Sequence, residues 1–161
     1  MNCLFRLIAK IKIVIGGSDR MICIYYHTND PSKRKAVKWL TAHHLQVNER
    51  NIEKQPLTRA EVFSLLSKSI NGTADLISTR SRDTKALQLT SENLTTNQLA
   101  EAIQKTPHVL KNPIICDDNK LITGFDQEKM GIFISQQERK NELADLLLKQ
   151  DVQSSHFAFP F

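Results

Sequence analysis

Cysteine is scarce in this sequence: Cys3, Cys23 and Cys116 are the three in 161 residues, and no two share a close spacing. That excludes a disulfide framework and a cysteine-based zinc site, and a reducing cytoplasm fits such usage best. Glycine is equally sparse, with five residues and no Gly-rich loop to cradle a phosphate. No Ser-His-Asp set and no paired carboxylates at helical spacing stand out. A long apolar run is also missing. The nearest approach, MNCLFRLIAKIKIVIGGSDR, is broken by Arg6, Lys10 and Lys12, so it cannot span a bilayer, and it lacks a small-residue cleavage site. Concentrated charge is lacking too. Of the net +5, the first 20 residues hold four basic and one acidic side chain, which leaves 18 basic against 16 acidic for the rest. In a nearly balanced body the high pI is no argument for direct DNA binding, since a phosphate-neutralising surface needs clustered charge and not a mean value.

What remains is one domain's worth of chain, 40% hydrophobic and 24% charged, without repeats or low-complexity tracts. Residues 1–20 read as an extension, with Met21 the start of the protein proper and Gly16-Gly17 a translated ribosome-binding sequence; a short amphipathic surface anchor is the alternative. From Met21 the pattern is α/β. MICIYY (21–26) is an apolar, β-branched strand, and Asp30-Pro31 opens a helix, Asp accepting from free amides and Pro having none to waste. That helix sets Ala36, Val37, Leu40 and Thr41 on one face, with Trp39 on its flank. LQVNERN (45–51) follows as a strand parallel to the first. Thr58 with Glu61 makes a capping box, and Leu57 with Val62 a hydrophobic staple, for a helix over 59–68 closed by Asn71-Gly72. Thr95 and Gln98 form a second box. NPIICDDNKLITGF carries a hairpin signal at Asp117–Lys120, and QEKMGIFI a short helix. A last helix, capped by Ser135 and Glu138, bears a stripe of Leu143, Leu146 and Leu147, and residues 151–161 read as a loose tail. The order βαβ, helical insertion, ββα over 21–150 predicts a thioredoxin-like domain.

Tyr25-Tyr26 through Arg34-Lys35-Ala36, then NERNIEKQPLT, then INGTADLISTRSRDTKAL, then NPIICDDNKLITGF resemble, in order and spacing, the Spx/MgsR family of arsenate reductase-like, thioredoxin-related regulators. The resemblance implies a non-catalytic protein without cofactor or metal. Its partner would be the C-terminal domain of the RNA polymerase α subunit, with promoter DNA met only within that complex, and promoter use would change under stress. It also implies a cis Asn112-Pro113 bond. The family's Cys-x-x-Cys switch falls on Asp30 and Lys33, and the arginine that reads the switch falls on Asn112. A carboxylate there forms neither disulfide nor thiol–arsenate adduct, but it caps a helix. An Asp30–Lys33 ion pair is an alternative role to plain capping.

By the same resemblance Gly72, within Asn71-Gly72-Thr73, packs against the polymerase α domain; a helix C-cap is the reading without it. Arg80 matches an arginine of promoter engagement, extended by Arg82 and Lys85, against the plainer reading of solvated charges near a turn. Ser32-Lys33-Arg34-Lys35 reads as a solvated basic face, with an acidic partner or a phosphate as the alternative. Cys23 reads as a small buried residue, and neither His43-His44 nor Cys116-Asp117-Asp118 fits a metal constellation. Two rival readings stay open: an arsenate reductase-like thiol enzyme, and a degenerate member with another partner or a protease adaptor that takes the tail aromatics Phe157, Phe159 and Phe161.

Overall fold

The computed structural model describes residues 21–89 and 95–155. Four strands form one sheet: β1 (Met21–Tyr26), β2 (Gln46–Asn51), β3 (Ile114–Cys116) and β4 (Leu121–Thr123), in the order β2-β1-β3-β4. β1 and β2 are parallel through the crossover helix α1 (Pro31–Ala42); β1–β3 and β3–β4 are antiparallel. The helical insertion holds α2 (Arg59–Lys68), α3 (Thr73–Leu76), α4 (Arg82–Ala86) and α5 (Thr96–Lys105), and α6 (Gln127–Met130) and α7 (Gln136–Ser155) close the chain. This is the βαβ–insertion–ββα arrangement expected from the sequence.

Strand alternation sorts the core into two layers. Ile22 and Ile24 of β1 and Ile115 of β3 face α1, where Ala36 and Leu40 meet Met130 and Phe133. Cys23 and Tyr25 with Ile114 and Cys116 face the other way, onto Val62 and Leu65 of α2, Leu99, Ala100 and Ile103 of α5, and Val109-Leu110. Each fully buried Ile or Leu contributes about 1.5–3 kcal/mol. β2 and β4 are the rims of the sheet among the described residues. The third residue on the buried line of α1 is Lys33; Thr41, expected inward, is exposed and donates to the Val37 carbonyl.

The local signals act as read. Thr58 and Glu61, and Thr95 and Gln98, cap each other reciprocally, and the Leu57–Val62 staple is buried. Ser135 and Glu138 do the same at α7. Other expectations need correction. α2 ends at Lys68 with Ser69 as its C-cap, so Gly72 does not cap it but precedes α3. Leu143, Leu146 and Leu147 are each more than half exposed and belong to neither buried cluster; Leu143 and Leu146 line an open cavity with Trp39 and Ile134. α7 also continues to Ser155, into the segment read as tail, while Phe157, Phe159, Phe161 and residues 1–20 lie outside the described residues.

One side chain holds β2 to the insertion. Arg50 donates from Nε to the Gln55 carbonyl (3.2 Å) and from its second terminal nitrogen to the Pro56 carbonyl (2.7 Å), and it pairs with the Glu61 carboxylate. Burial raises the Glu61 pKa, but hydrogen bonds from Thr58 and Arg50 outweigh it, and the carboxyl titrates below its usual range. Asn51 Oδ1 fixes the same turn by accepting from the Glu53 and Lys54 amides. Replacing Arg50 with Met should lower unfolding free energy by about 2 kcal/mol, since charged hydrogen bonds are lost and the Gln55 and Pro56 carbonyls are left to water. Urea denaturation reads this as a lower midpoint at unchanged slope.

Candidate partner-docking site

Two neighbouring regions carry the sequence-predicted residues. The first is the β1–α1 junction. Asp30 is the N-cap of α1, extended at φ −87° and ψ 173°, and its Oδ1 accepts from the Lys33 amide at 2.8 Å, with Pro31 at the first helical position. The charged end of Lys33 does not go to Asp30. It pairs with Glu49 of β2 and lies 4.6 Å from the centre of the Tyr26 ring. Asp30 thus acts as the plain cap, and in place of the alternative Asp30–Lys33 ion pair stands a link from α1 to β2, because Lys33 points under the helix and Asp30 at open amides. The basic face is split accordingly: Lys33 is buried, while Arg34 and Lys35 are exposed.

Asn112 lies against this junction and precedes a cis peptide bond to Pro113. Its Oδ1 accepts from the amides of His27 (3.0 Å) and Thr28 (3.4 Å), and its Nδ2 donates to the Thr28 carbonyl (2.8 Å). A neutral amide therefore fastens the loop leading to Asp30. The resemblance brings Asn112 to this junction, but no spacing rule reveals the bonds it makes, since donor and acceptor stand 84 residues apart.

A histidine pair adjoins it, also unforeseen. The His27 and His108 rings have centroids 4.5 Å apart, tilted by 56°. His27 Nε2 meets the Leu110 carbonyl at 3.2 Å and Nδ1 the Thr28 hydroxyl at 2.9 Å, while His108 Nε2 meets Glu53 at 2.6 Å. Burial lowers the His27 pKa, and His108 adds to that, against the opposing pull of the Leu110 carbonyl, Glu53 and Asp30.

The second region is the segment from Ile70 to Lys85. Gly72 has φ +61° and ψ −128°, a conformation that side chains resist. A Cβ built there meets nothing within 4 Å, so the surface before it is open. Asp75 clamps the turn, accepting from the Asn71 amide (2.8 Å) and side chain (3.0 Å), and these bonds lower its pKa. Lys111 Nζ ties the Ala74 carbonyl at 2.8 Å, and Ile70 beside the turn is 93% exposed. Beyond α3, Ile77 bridges Leu110 and the Ser78 amide donates to the Val109 carbonyl at 2.8 Å. The turn that follows presents Arg80, exposed and without an ion-pair partner among the described residues. Arg82 and Lys85 are exposed on α4, which Ser81 caps and buried Thr84 anchors to Val109. Gly72 and Arg80 therefore stand at the two ends of one segment that residues 107–111 hold in place.

The thiols lie elsewhere. Cys23 is half-buried on β1, where full burial was expected, because it packs at the margin of its cluster; Cys116 is buried on β3. Burial pushes the Cys116 thiol up to about 12. Neither stands at a helix N-terminus, the placement that activates a nucleophilic thiol. Asp117 is occupied by the hairpin, accepting from the Asn119 and Lys120 amides, and His43 stacks on Trp39. No group of three or more metal-ligating side chains occurs among the described residues. No helix there is long and apolar enough to cross a membrane.

Comparison with known proteins adds a family. The ArsC family pattern matches residues 25–133. The "Global transcriptional regulator Spx" of Streptococcus pyogenes serotype M1 is 36% identical over 133 residues, covering 83% of this chain and 99% of its own. Its namesake from Streptococcus agalactiae serotype V is 34% identical over 136 residues, covering 84% and 99%. Among solved structures, an arsenate reductase from Vibrio cholerae superposes with a TM-score of 0.64 at 16% identity, over 71% of this chain and 98% of that one. A likeness at that identity speaks for the fold alone.

The His27 pKa gives a pH prediction. A histidine held neutral by the fold contributes stability in full above the unfolded value near 6.5 and loses it as pH falls through the lowered folded value. Melting temperatures followed from about pH 7.5 down to about pH 5 should fall less steeply for His27→Gln than for the wild type. Parallel profiles would refute this.

Proposed function

This chain belongs to the ArsC family as an Spx-like member, and from that premise we propose that it is a non-catalytic transcriptional regulator that docks on the C-terminal domain of the RNA polymerase α subunit. The Asn71-Gly72 turn carries the reading. It is open in front, held rigid by Asp75 and Lys111, and built on a backbone conformation suited to glycine. Docking of a flat protein face needs such a surface, and a preordered turn loses little entropy on binding. Arg80, Arg82 and Lys85, exposed on the continuation of the same segment, would then approach promoter DNA or polymerase within the complex. The chain's likeness to global transcriptional regulators supports this reading over catalysis.

The β1–α1 junction supports a regulator with no thiol switch at that place. Asp30 caps, Lys33 pairs with Glu49, and Asn112 clasps the loop; none of these bonds involves sulfur. The recognition surface would be permanently formed, and control would pass to the amount of protein in the cytoplasm.

An arsenate reductase-like thiol enzyme is the rival. It is disfavoured by thiols that lie on strands, one of them held protonated by burial. A protein adaptor with another partner would share the open turn but not the polymerase.

Binding of the purified α C-terminal domain tests the proposal. Gly72→Arg should weaken it by at least about tenfold, since a long side chain holds two surfaces apart. Arg80→Ala should leave that binding intact and abolish the change in transcription from a responsive promoter in a reconstituted assay. Undiminished binding by Gly72→Arg, or arsenate turnover that vanishes on replacing Cys23 or Cys116, would overturn the proposal.

A further inference from the structure

The two thiols of the described sheet face each other. Cys23 of β1 and Cys116 of β3 are direct partners in the antiparallel register, between the Ile24–Ile115 pair and the end of the ladder. Both side chains lie on the face that packs against α2 and α5, since both belong to that cluster. Opposed residues in an antiparallel pair have Cα atoms about 4.5–5.5 Å apart, within the span of about 4.4–6.8 Å that a disulfide bridges. Cys116 is buried and Cys23 half-buried, so one sulfur is sheltered and the other is nearer to solvent. Both are free.

We propose that Cys23 and Cys116 are an oxidant-closed pair, joined by a peroxide into a disulfide across β1 and β3. In the first step the Cys23 sulfur attacks one peroxide oxygen, the O–O bond breaks, the sulfur becomes a sulfenic acid, and the other oxygen leaves as water. The Cys116 sulfur then attacks the sulfenic sulfur and expels a second water. Two thiol protons and two sulfur electrons have by then reduced one peroxide to two waters. Closure is slow, because burial pushes the Cys116 thiol up to about 12 and so keeps its thiolate fraction small. Lys68 favours that thiolate, whereas Asp117 and Asp118 oppose it. Slowness is offset by placement, since register holds the second sulfur opposite the first. The product is a staple and not a toggle. The bond joins two strands already paired, and it changes no charge at Asp30, Lys33 or Gly72.

The full-length protein, incubated with hydrogen peroxide, trapped with an alkylating reagent and unfolded, tests this directly. The expected result is an intact mass lower by about 2 Da before alkylation, two fewer alkylated thiols after it, and a non-reduced peptide map linking Cys23 to Cys116. Closure should also raise the melting temperature, as a bond across 93 residues of chain restricts the unfolded state, and dithiothreitol should reverse both changes. Cys23→Ser and Cys116→Ser should each abolish the mass loss. Oxygen added to Cys23 while Cys116 remains open to alkylation would overturn the proposal, and so would a crosslink running through Cys3.

Discussion

Arg50 is the fastening on which the rest of the molecule depends. Its guanidinium reaches from the rim strand β2 to two carbonyls of the connection and to the carboxylate that caps α2. A planar fork with five donors suits such a junction, and lysine's point charge would not. Through this contact the start of α2 is set against the sheet. With it comes the face of α2 that meets α5, and the segment that ends in the Asn71-Gly72 turn. The ERNI and PLT blocks that mark the family in the sequence are thereby given a mechanical meaning, for they supply the arginine and one of the two carbonyls of a single joint.

At the same end of β1, where Tyr25 pairs with Arg50, the chain holds its α1 junction by different chemistry. The helix start is closed by a carboxylate on an amide, the preceding loop by the side-chain amide of Asn112, and the helix underside by Lys33 on Glu49 and Tyr26. These contacts all persist whether the surroundings are oxidising or reducing. The two thiols of the described sheet lie on neighbouring strands instead, Cys116 buried in the core cluster and Cys23 half-buried at its margin. Where the sulfur sits thus decides what oxidation can change: a covalent link between strands, with the outer surface left as it was.

How much of this was legible beforehand follows the range of each interaction. Capping boxes at Thr58, Thr95 and Ser135 involve neighbours three residues apart, so composition reveals them. The Asp117–Lys120 hairpin and the alternation of Ile22 and Ile24 are equally local. Lys33 shows the limit. Its neighbours Arg34 and Lys35 suggest a solvated face, and only the position of β2 reveals the carboxylate that draws it inward. Asn112, His27 and His108 meet across more than 80 residues of chain, and no spacing rule anticipates them. Gly72 was legible as a special backbone position but assigned to the wrong helix end, because α2 stops three residues earlier, at Ser69.

The rims of the sheet have a consequence for solution behaviour. A strand with one unpaired edge is a template on which another chain can add itself. β4 is three residues long, and β2, six residues, reads QVNERN, mostly polar, with Glu49 and Arg50 already engaged sideways in ion pairs. Brevity on one rim and charge on the other leave an incoming strand little to grip, so concentrated samples should resist fibrillar growth through the sheet.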